Sequence, residues 1–173
     1  GNLLLEILLL IVLILCNAFF AASEIAIISL NDAKIRKMAE DGHKKAKQVL
    51  RLTADSSNFL ATIQIGVTLA GFLASATAAQ SLAGPLANWF IGLIPALEPH
   101  IAVIQNISVV VVTILMSYFS LVFGELVPKR IAMQKAEALS FAFIGVLRGV
   151  AIVTRPFVKF LSLSTNLVVR LFG

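Results

Sequence analysis

Residues 58–82 read NFLATIQIGVTLAGFLASATAAQSL, a stretch without a charged side chain. About 20 apolar residues suffice for a helix to cross a bilayer, so this segment predicts a membrane span. Two further apolar segments, at about 3–30 and 101–127, are also long enough. The chain of 173 residues is 59% hydrophobic and 13% charged, whereas soluble domains have about 45–50% apolar and about 25% charged residues. We therefore predict an all-α membrane protein with three transmembrane helices.

The basic residues indicate how these helices are oriented. All 14 lysines and arginines fall in two stretches, at 31–57 and at 128–173. Basic residues collect on the cytoplasmic side of a membrane. We therefore predict a multi-pass protein of the plasma membrane, with the N-terminus and residues 83–100 outside and the C-terminus cytoplasmic. The net charge of +5 then needs no nucleic-acid partner, which would require basic residues clustered on a solvated face.

The segment at 139–153 is apolar but too short for an ordinary crossing. It also contains Arg148, and a charge inside a membrane span is costly. If this segment crossed the membrane, the basic residues that follow it would lie outside. We therefore predict a short re-entrant or interfacial helix within 131–153. The residues that would otherwise be misplaced are Arg155, Lys159 and Arg170.

The remaining segments are predicted to connect the spans or to lie along the membrane. Apolar residues recur at helical spacing across 32–52, with lysines on the other face, which predicts short intracellular helices. Residues 83–100 include three prolines and Trp89, which predicts an outer loop with an aromatic anchor. Pro156 suits the first turn of a helix. It predicts the start of an amphipathic juxtamembrane helix at 156–172.

The sequence Gly124-Glu125-Leu126-Val127-Pro128 places a carboxylate beside a predicted helix break. Pro128 has no N–H, so it cannot donate to the carbonyl of Gly124. A free carbonyl next to a carboxylate offers the oxygen ligands that Mg²⁺ and Ca²⁺ prefer, and broken helices supply such ligands in transporters. The alternative is a plain helix end in which Glu125 pairs with Lys129 one turn later. The residues alone leave both interpretations open.

Other polar residues also fall within the spans. Gln64, Thr68, Gly71 and Ser75 share one face of the second span. This face is either a packing surface of small residues or a face on which Gln64 and Thr68 supply oxygens to a central site. The first and third spans contain further polar candidates: Asn17, Ser23, Glu24 and Ser117.

The sequence gives no support for an enzyme. It shows neither a nucleophile paired with a base nor a phosphate-binding loop, so we predict no catalytic residue and no bound organic cofactor. Cys16 is the one cysteine of the chain. A single cysteine excludes an intrachain disulfide and a cysteine metal cluster.

Four stretches together resemble the transmembrane domain of the CorC/CNNM (cyclin M) family of magnesium transport proteins, which includes bacterial members labelled hemolysin-like. The resemblance covers essentially the whole chain, and it is the combination of stretches that is specific. They are NAFFAASEIA at 17–26, TIQIGVTLAG at 62–71, GELVPK at 124–129 and STNL at 164–167.

The resemblance implies a homodimer with three spanning helices, short intracellular helices and a belt-like juxtamembrane helix. It implies Na⁺-coupled Mg²⁺ efflux, with Mg²⁺ as the transported ion and Na⁺ as the coupling ion. Full-length relatives continue into cytoplasmic CBS domains that bind ATP, which are absent from this chain. The alternative is a non-transporting dimeric membrane anchor that positions such a regulatory module or a partner transporter.

The resemblance also implies a set of metal ligands. Matched residue by residue, it assigns Ser23 of the first span and Gly124 and Glu125 of the third to Mg²⁺. Many relatives have asparagines where this chain has Val67, Thr68 or Gly71. Either Thr68 or Gln64 of the second span therefore takes the place of an asparagine, or the ion site of this chain differs.

Overall fold

The computed structural model describes residues 2–173, and these residues are helical almost throughout, without a strand. Short connections separate the helices, and a 3₁₀ turn and a π turn interrupt the second half of the chain. The α-helices are α1 (Asn2–Ile28), α2 (Asp32–Glu40), α3 (Lys44–Thr53), α4 (Ser56–Leu93), α5 (Ile101–Leu121), α6 (Val127–Gln134) and α7 (Ala136–Phe172). The 3₁₀ turn is Pro95–His100 and the π turn is Val122–Leu126.

Four helical segments are long and apolar enough to cross a membrane. They are Asn2–Ile28, Ser56–Leu93, Pro95–Gln134 and Ala136–Phe172. The prediction of an all-α membrane protein is therefore confirmed. Length and composition admit one more span than the three that we predicted, because α7 also qualifies.

The chain forms two compact units. The first comprises residues up to 19 together with 67–128, and the second comprises 20–66 together with 129–173. The core of the first unit brings together one buried residue of α1, three small residues of α4 and two residues of α5. Small side chains allow membrane helices to pack closely, and here they are the alanines of α4. The core residues are Leu10, Ala74, Ala78, Ala83, Val112 and Met116.

The second unit has its core where α2 and α3 pack on α7. The two short helices are joined at Gly42, whose φ of 97° lies in the left-handed region that favours glycine. Asn31 caps α2 by accepting the N–H of Lys34, and His43 caps α3 by accepting the N–H of Ala46. These caps satisfy helix N–H groups that would otherwise lack a partner. The core residues are Ile35, Ala39, Ala46, Val49 and Ile144.

The prediction of an outer loop across 83–100 is wrong for most of that segment. Helix α4 continues to Leu93 and contains Pro85. A proline inside a helix removes one hydrogen bond, but Ala83 and Ala87 are buried on either side of it, so packing holds the helix together. The connection to α5 is only the 3₁₀ turn at Pro95–His100.

The predicted helix start at Pro156 is also absent, since α7 runs unbroken from Ala136 to Phe172 with Pro156 inside it. The hydroxyl of Thr154 does not cap a new helix but donates to the carbonyl of Val150, at 2.8 Å. Leu147 and Val158 are buried on either side of the proline. The predicted helices at 131–153 and 156–172 are therefore largely one element, preceded by α6.

Candidate functional site

A π turn lies where the sequence predicted a helix break. Helix α5 ends at Leu121, and the N–H of Val127 donates to the carbonyl of Val122, five residues earlier. Such a turn accommodates one extra residue and is frequent at functional sites. Pro128 follows directly, in the first turn of α6, and interrupts the hydrogen-bond ladder because it has no N–H. The helix does not end here, since Pro95–Gln134 is one continuous helical segment, and the irregularity takes the form of a π turn, which was not predicted.

The carbonyl of Gly124 has a partner that the sequence did not predict. Asn17 Nδ2, from α1, donates to Gly124 O at 3.1 Å in a buried hydrogen bond. A Cβ at position 124 would lie 2.7 Å from the same Nδ2, so only glycine permits this close approach. The expectation of a free carbonyl at Gly124 is therefore wrong as stated. A carbonyl oxygen has two lone pairs, so the bond to Asn17 does not by itself exclude Gly124 O as a ligand.

Asn17, in the first unit, matters more to the candidate site than the sequence predicted. Its side chain is only 2% exposed, and its Oδ1 has no hydrogen-bond partner among the described residues. The amide orientation follows from the bond to Gly124, since a carbonyl can only accept and Nδ2 must face it. A buried acceptor without a partner costs about 1–3 kcal/mol. Asn17 therefore presents an uncompensated oxygen next to the π turn.

Two other buried polar atoms also lack a hydrogen-bond partner within residues 2–173. They are the hydroxyl oxygens of Ser108 on α5 and Ser140 on α7. Neither was a predicted ligand, and neither is adjacent in sequence to the Gly-Glu pair. Asn17 differs from both because its amide contacts the π turn directly.

Glu125 lies within the π turn, immediately after Gly124, and its side chain is half-buried. Within residues 2–173 it takes part in no ion pair, since the one ion pair found there joins Lys34 and Glu137. The alternative of a salt-bridged helix end therefore finds no support. A carboxylate of this kind can neutralise part of a cation's charge.

The other predicted residues of the first unit differ in their burial and in their contacts. Thr68 is half-buried on α4 and already takes part in an interaction. Gly71 is half-buried with open space where a Cβ would lie. Ser117 is exposed, and its hydroxyl donates to Thr113 O at 2.7 Å within α5. The role of these three residues as ligands stays a prediction.

The second unit holds the remaining predicted residues. Ser23 is fully buried, Glu24 is half-buried and Gln64 is exposed. Ser23 and Gln64 each already have an interaction partner. Among the described residues there is no group of three or more histidines, cysteines or acids that could hold a metal ion. A cation at the π turn would therefore be bound by one carboxylate and neutral oxygens.

The sequence shows that Asn17 is a polar residue in a membrane span, but it does not show which residue Asn17 contacts. A polar side chain in a membrane span is costly and is usually satisfied by a specific partner. Asn17 and Gly124 are 107 residues apart, so nothing in the sequence pairs them. The structure supplies that pairing.

A sequence model of the cyclin M transmembrane N-terminal domain matches residues 8–173. The chain belongs to this family. The resemblance seen in the motifs is therefore confirmed over nearly the full length of the chain. The family assignment establishes a membrane domain of the cyclin M type.

Similar proteins support the assignment to the cyclin M family. The UPF0053 protein sll0260 of Synechocystis sp. is 39% identical over 169 residues, covering 98% of this chain and 37% of that protein. The UPF0053 protein YhdP of Bacillus subtilis is 31% identical over 169 residues, covering 97% and 37%. The polyamine export protein of Haemophilus influenzae is 27% identical over 176 residues, covering 96% and 37%. The chain thus spans little more than a third of these relatives.

One glycine of the TIQIGVTLAG stretch makes a close contact that can be tested. A Cβ at Gly66 would lie 2.5 Å from Cε2 of the Phe20 ring. We expect Gly66→Ala to lower the free energy of unfolding by about 1–3 kcal/mol, because the ring must move in a packed region. Gly71→Ala is the matched control, since nothing lies within 4 Å of its Cβ position, and alanine favours the helix by about 1 kcal/mol. Thermal unfolding in detergent measures both, and equal melting temperatures would contradict the contact.

Proposed function

We propose that this cyclin M domain transports Mg²⁺ across the plasma membrane, by efflux coupled to Na⁺ entry. The observation that carries the proposal is the buried, unpartnered Oδ1 of Asn17, whose amide contacts Gly124 in the π turn. Glu125 follows Gly124 in the same turn. An amide oxygen, a carbonyl oxygen and a carboxylate are the donor types that Mg²⁺ prefers.

The ligand set suits a transported ion better than a stored one. Mg²⁺ favours six oxygens in near-octahedral geometry at about 2.0–2.1 Å. The proposal keeps Thr68 of the first unit as a hydroxyl ligand, and the family resemblance also implies Ser23. One carboxylate balances only half of the charge of Mg²⁺. A site for a conducted ion must bind it strongly enough to enter and weakly enough to leave, and a mostly neutral oxygen set meets that condition.

The π turn also fits a transport mechanism. In transporters, interrupted helices expose backbone carbonyls to ions near the bilayer midplane. Here Pro128 and the π turn interrupt the helix that begins at Ile101. We propose that the ion is exposed alternately to the two sides, with Na⁺ entry driving Mg²⁺ exit.

We propose three membrane spans, formed by α1, α4 and the segment from α5 to α6, with α7 lying at the cytoplasmic surface. Helix α7 has 37 residues, but its middle carries Arg148, Arg155 and Lys159. Placing these charges in the hydrocarbon core would be costly. The N-terminus would then lie outside and the C-terminus inside. By family resemblance the working unit is a homodimer, and ATP would act only through cytoplasmic CBS domains beyond these residues.

This topology can be tested by cysteine labelling on a Cys16→Ser background. We expect Glu98→Cys to react with a membrane-impermeant maleimide added outside, and Lys45→Cys to react only after permeabilisation, because basic segments stay inside. Lys135→Cys and Gly173→Cys flank α7 and should both behave like Lys45→Cys. Opposite labelling of Lys135→Cys and Gly173→Cys would show that α7 crosses the membrane.

Two other functions remain as candidates. The Haemophilus influenzae relative is named a polyamine export protein, and a polyamine is a cation that could also use the Glu125 carboxylate. The other candidate is a non-transporting dimeric anchor for a regulatory module or partner transporter. In that case the polar face of α4 would serve packing alone.

Reconstituted vesicles distinguish these functions. Vesicles containing the protein are loaded with a fluorescent Mg²⁺ indicator, and an Na⁺ gradient is imposed in one direction or the other. The proposal predicts Mg²⁺ movement opposite to Na⁺ and no movement in protein-free vesicles. Spermidine movement without Mg²⁺ movement would favour polyamine export. Intact dimers that move neither cation would favour the anchor.

A further inference from the structure

The second unit contains a cavity lined by basic side chains. It has a volume of about 440 Å³ and lies between α7 and the junction of α3 with α4. Arg51 lines it from α3, and Arg155 and Lys159 line it from α7. A second cavity of about 210 Å³ shares Arg51 and Arg155 and adds Arg148. Residues about 100 positions apart in sequence thus bring four cationic side chains to one place.

The protein balances the positive charge of these cavities only in part. Asp55 is the one carboxylate among the residues that line them, and it is occupied in capping α4. Its Oδ1 accepts the N–H of Asn58 at 3.2 Å, and its Oδ2 accepts Nδ2 of the same residue at 2.7 Å. Across residues 2–173 the single ion pair is the one between Lys34 and Glu137. The four basic side chains therefore remain available to an anionic ligand.

The cavity is amphipathic rather than uniformly polar. Phe59 and Val158 form part of its lining and are each 4% exposed, so the cationic rim surrounds an apolar floor. The three basic residues of α7 share one helix face, because they are seven and four residues apart. On the far side of the same helix, Phe157 and Phe160 are 64% and 68% exposed. Helix α7 thus combines a cationic face with an apolar one, as helices at a membrane surface do.

We propose that this cavity binds the phosphate group of an anionic phospholipid of the cytoplasmic leaflet. Arginine recognises phosphate through its planar fork of N–H donors, and three of the four basic residues are arginines. Basic segments next to the membrane are attracted to anionic lipids. The apolar floor fits the glycerol and the first acyl carbons, which a free phosphate lacks. This site does not depend on which cation, if any, the domain transports.

The test measures lipid binding to the purified, delipidated chain in detergent by native mass spectrometry. The probes are dioleoylphosphatidylglycerol and, as a zwitterionic control, dioleoylphosphatidylcholine. Wild type is expected to prefer the anionic lipid. Arg51→Gln/Arg155→Gln is expected to weaken its binding about thirtyfold and to abolish the preference. The matched variant Arg36→Gln/Arg170→Gln removes two exposed arginines elsewhere in the same unit and should keep the wild-type preference.

Two further arms complete the test. Arg148→Gln/Lys159→Gln removes the other two basic side chains and should reproduce the loss, which guards against misfolding of a single variant. Inorganic phosphate should bind at least about tenfold more weakly than the anionic lipid, because it gains no apolar contact. Equal preference in wild type, cavity variants and matched variant would overturn the site. Free phosphate that binds as tightly as the lipid would overturn the lipid as its source.

Discussion

Replacing Glu125 by glutamine is expected to remove saturable Mg²⁺ binding while leaving the fold intact. Glutamine keeps the size of the side chain and one oxygen but loses the negative charge that offsets half of the ion's charge. Loss of an outer partner of a metal ligand commonly costs 10–100-fold in affinity, so loss of a direct anionic ligand should cost at least about a hundredfold. Isothermal titration calorimetry of the purified protein with MgCl₂ measures the effect.

The matched control for this prediction is Glu98→Gln. Glu98 is exposed in the 3₁₀ turn between α4 and α5, so the change removes the same charge from a place remote in sequence from the π turn. We expect its Mg²⁺ isotherm to match that of wild type. Glu125→Gln that binds Mg²⁺ with wild-type affinity would rule out Glu125 as a ligand.

Gly124→Ala is expected to destabilise the first unit and to weaken Mg²⁺ binding together. The new Cβ would lie 2.7 Å from Asn17 Nδ2, where the hydrogen bond to Gly124 O now forms. Overpacking of this kind costs about 1–3 kcal/mol, and the displaced Asn17 amide would also withdraw its Oδ1. Thermal unfolding in detergent and a Mg²⁺ titration measure the two effects.

A control and a double variant make this prediction specific. Gly84→Ala lies on α4 with nothing within 4 Å of its Cβ position and should not destabilise. Asn17→Ala/Gly124→Ala should be no less stable than Asn17→Ala alone, because the clash needs the Asn17 amide. A double variant in which the two losses simply add would show that alanine at 124 acts by another route.

The sequence predicted the class of the fold because that class depends on local properties. Apolar runs and the placement of basic residues are sufficient to identify membrane helices and to suggest their orientation. The errors occurred at prolines. Pro85 was assigned to an outer loop and Pro156 to the start of a helix, but each lies inside a helix. A missing N–H disfavours a helix locally, whereas buried neighbours such as Ala87 and Val158 stabilise it through contacts that the sequence does not reveal.

In the candidate site, too, the sequence predicted local features and missed those that depend on distant contacts. Gly124, Glu125 and Pro128 could be identified because they are adjacent and their chemistry is local. The π turn could not be predicted, because it forms where one extra residue is inserted between the regular turns of α5 and α6. The contact between Asn17 and Gly124 joins residues 107 positions apart, and it changes the account of the site. Asn17, predicted only as a secondary polar residue, is now the one that presents a buried, unpartnered oxygen.

Anomalous diffraction tests most directly whether the π turn binds the cation that we propose is transported. Mn²⁺ takes the same octahedral oxygen coordination as Mg²⁺ and can be located by its anomalous signal in crystals grown with MnCl₂. We predict a peak within about 2.5 Å of a Glu125 carboxylate oxygen, with Asn17 Oδ1 or Gly124 O as a further ligand, and its loss when excess MgCl₂ is added. A strong Mn²⁺ peak elsewhere, with none at Glu125, would contradict the account.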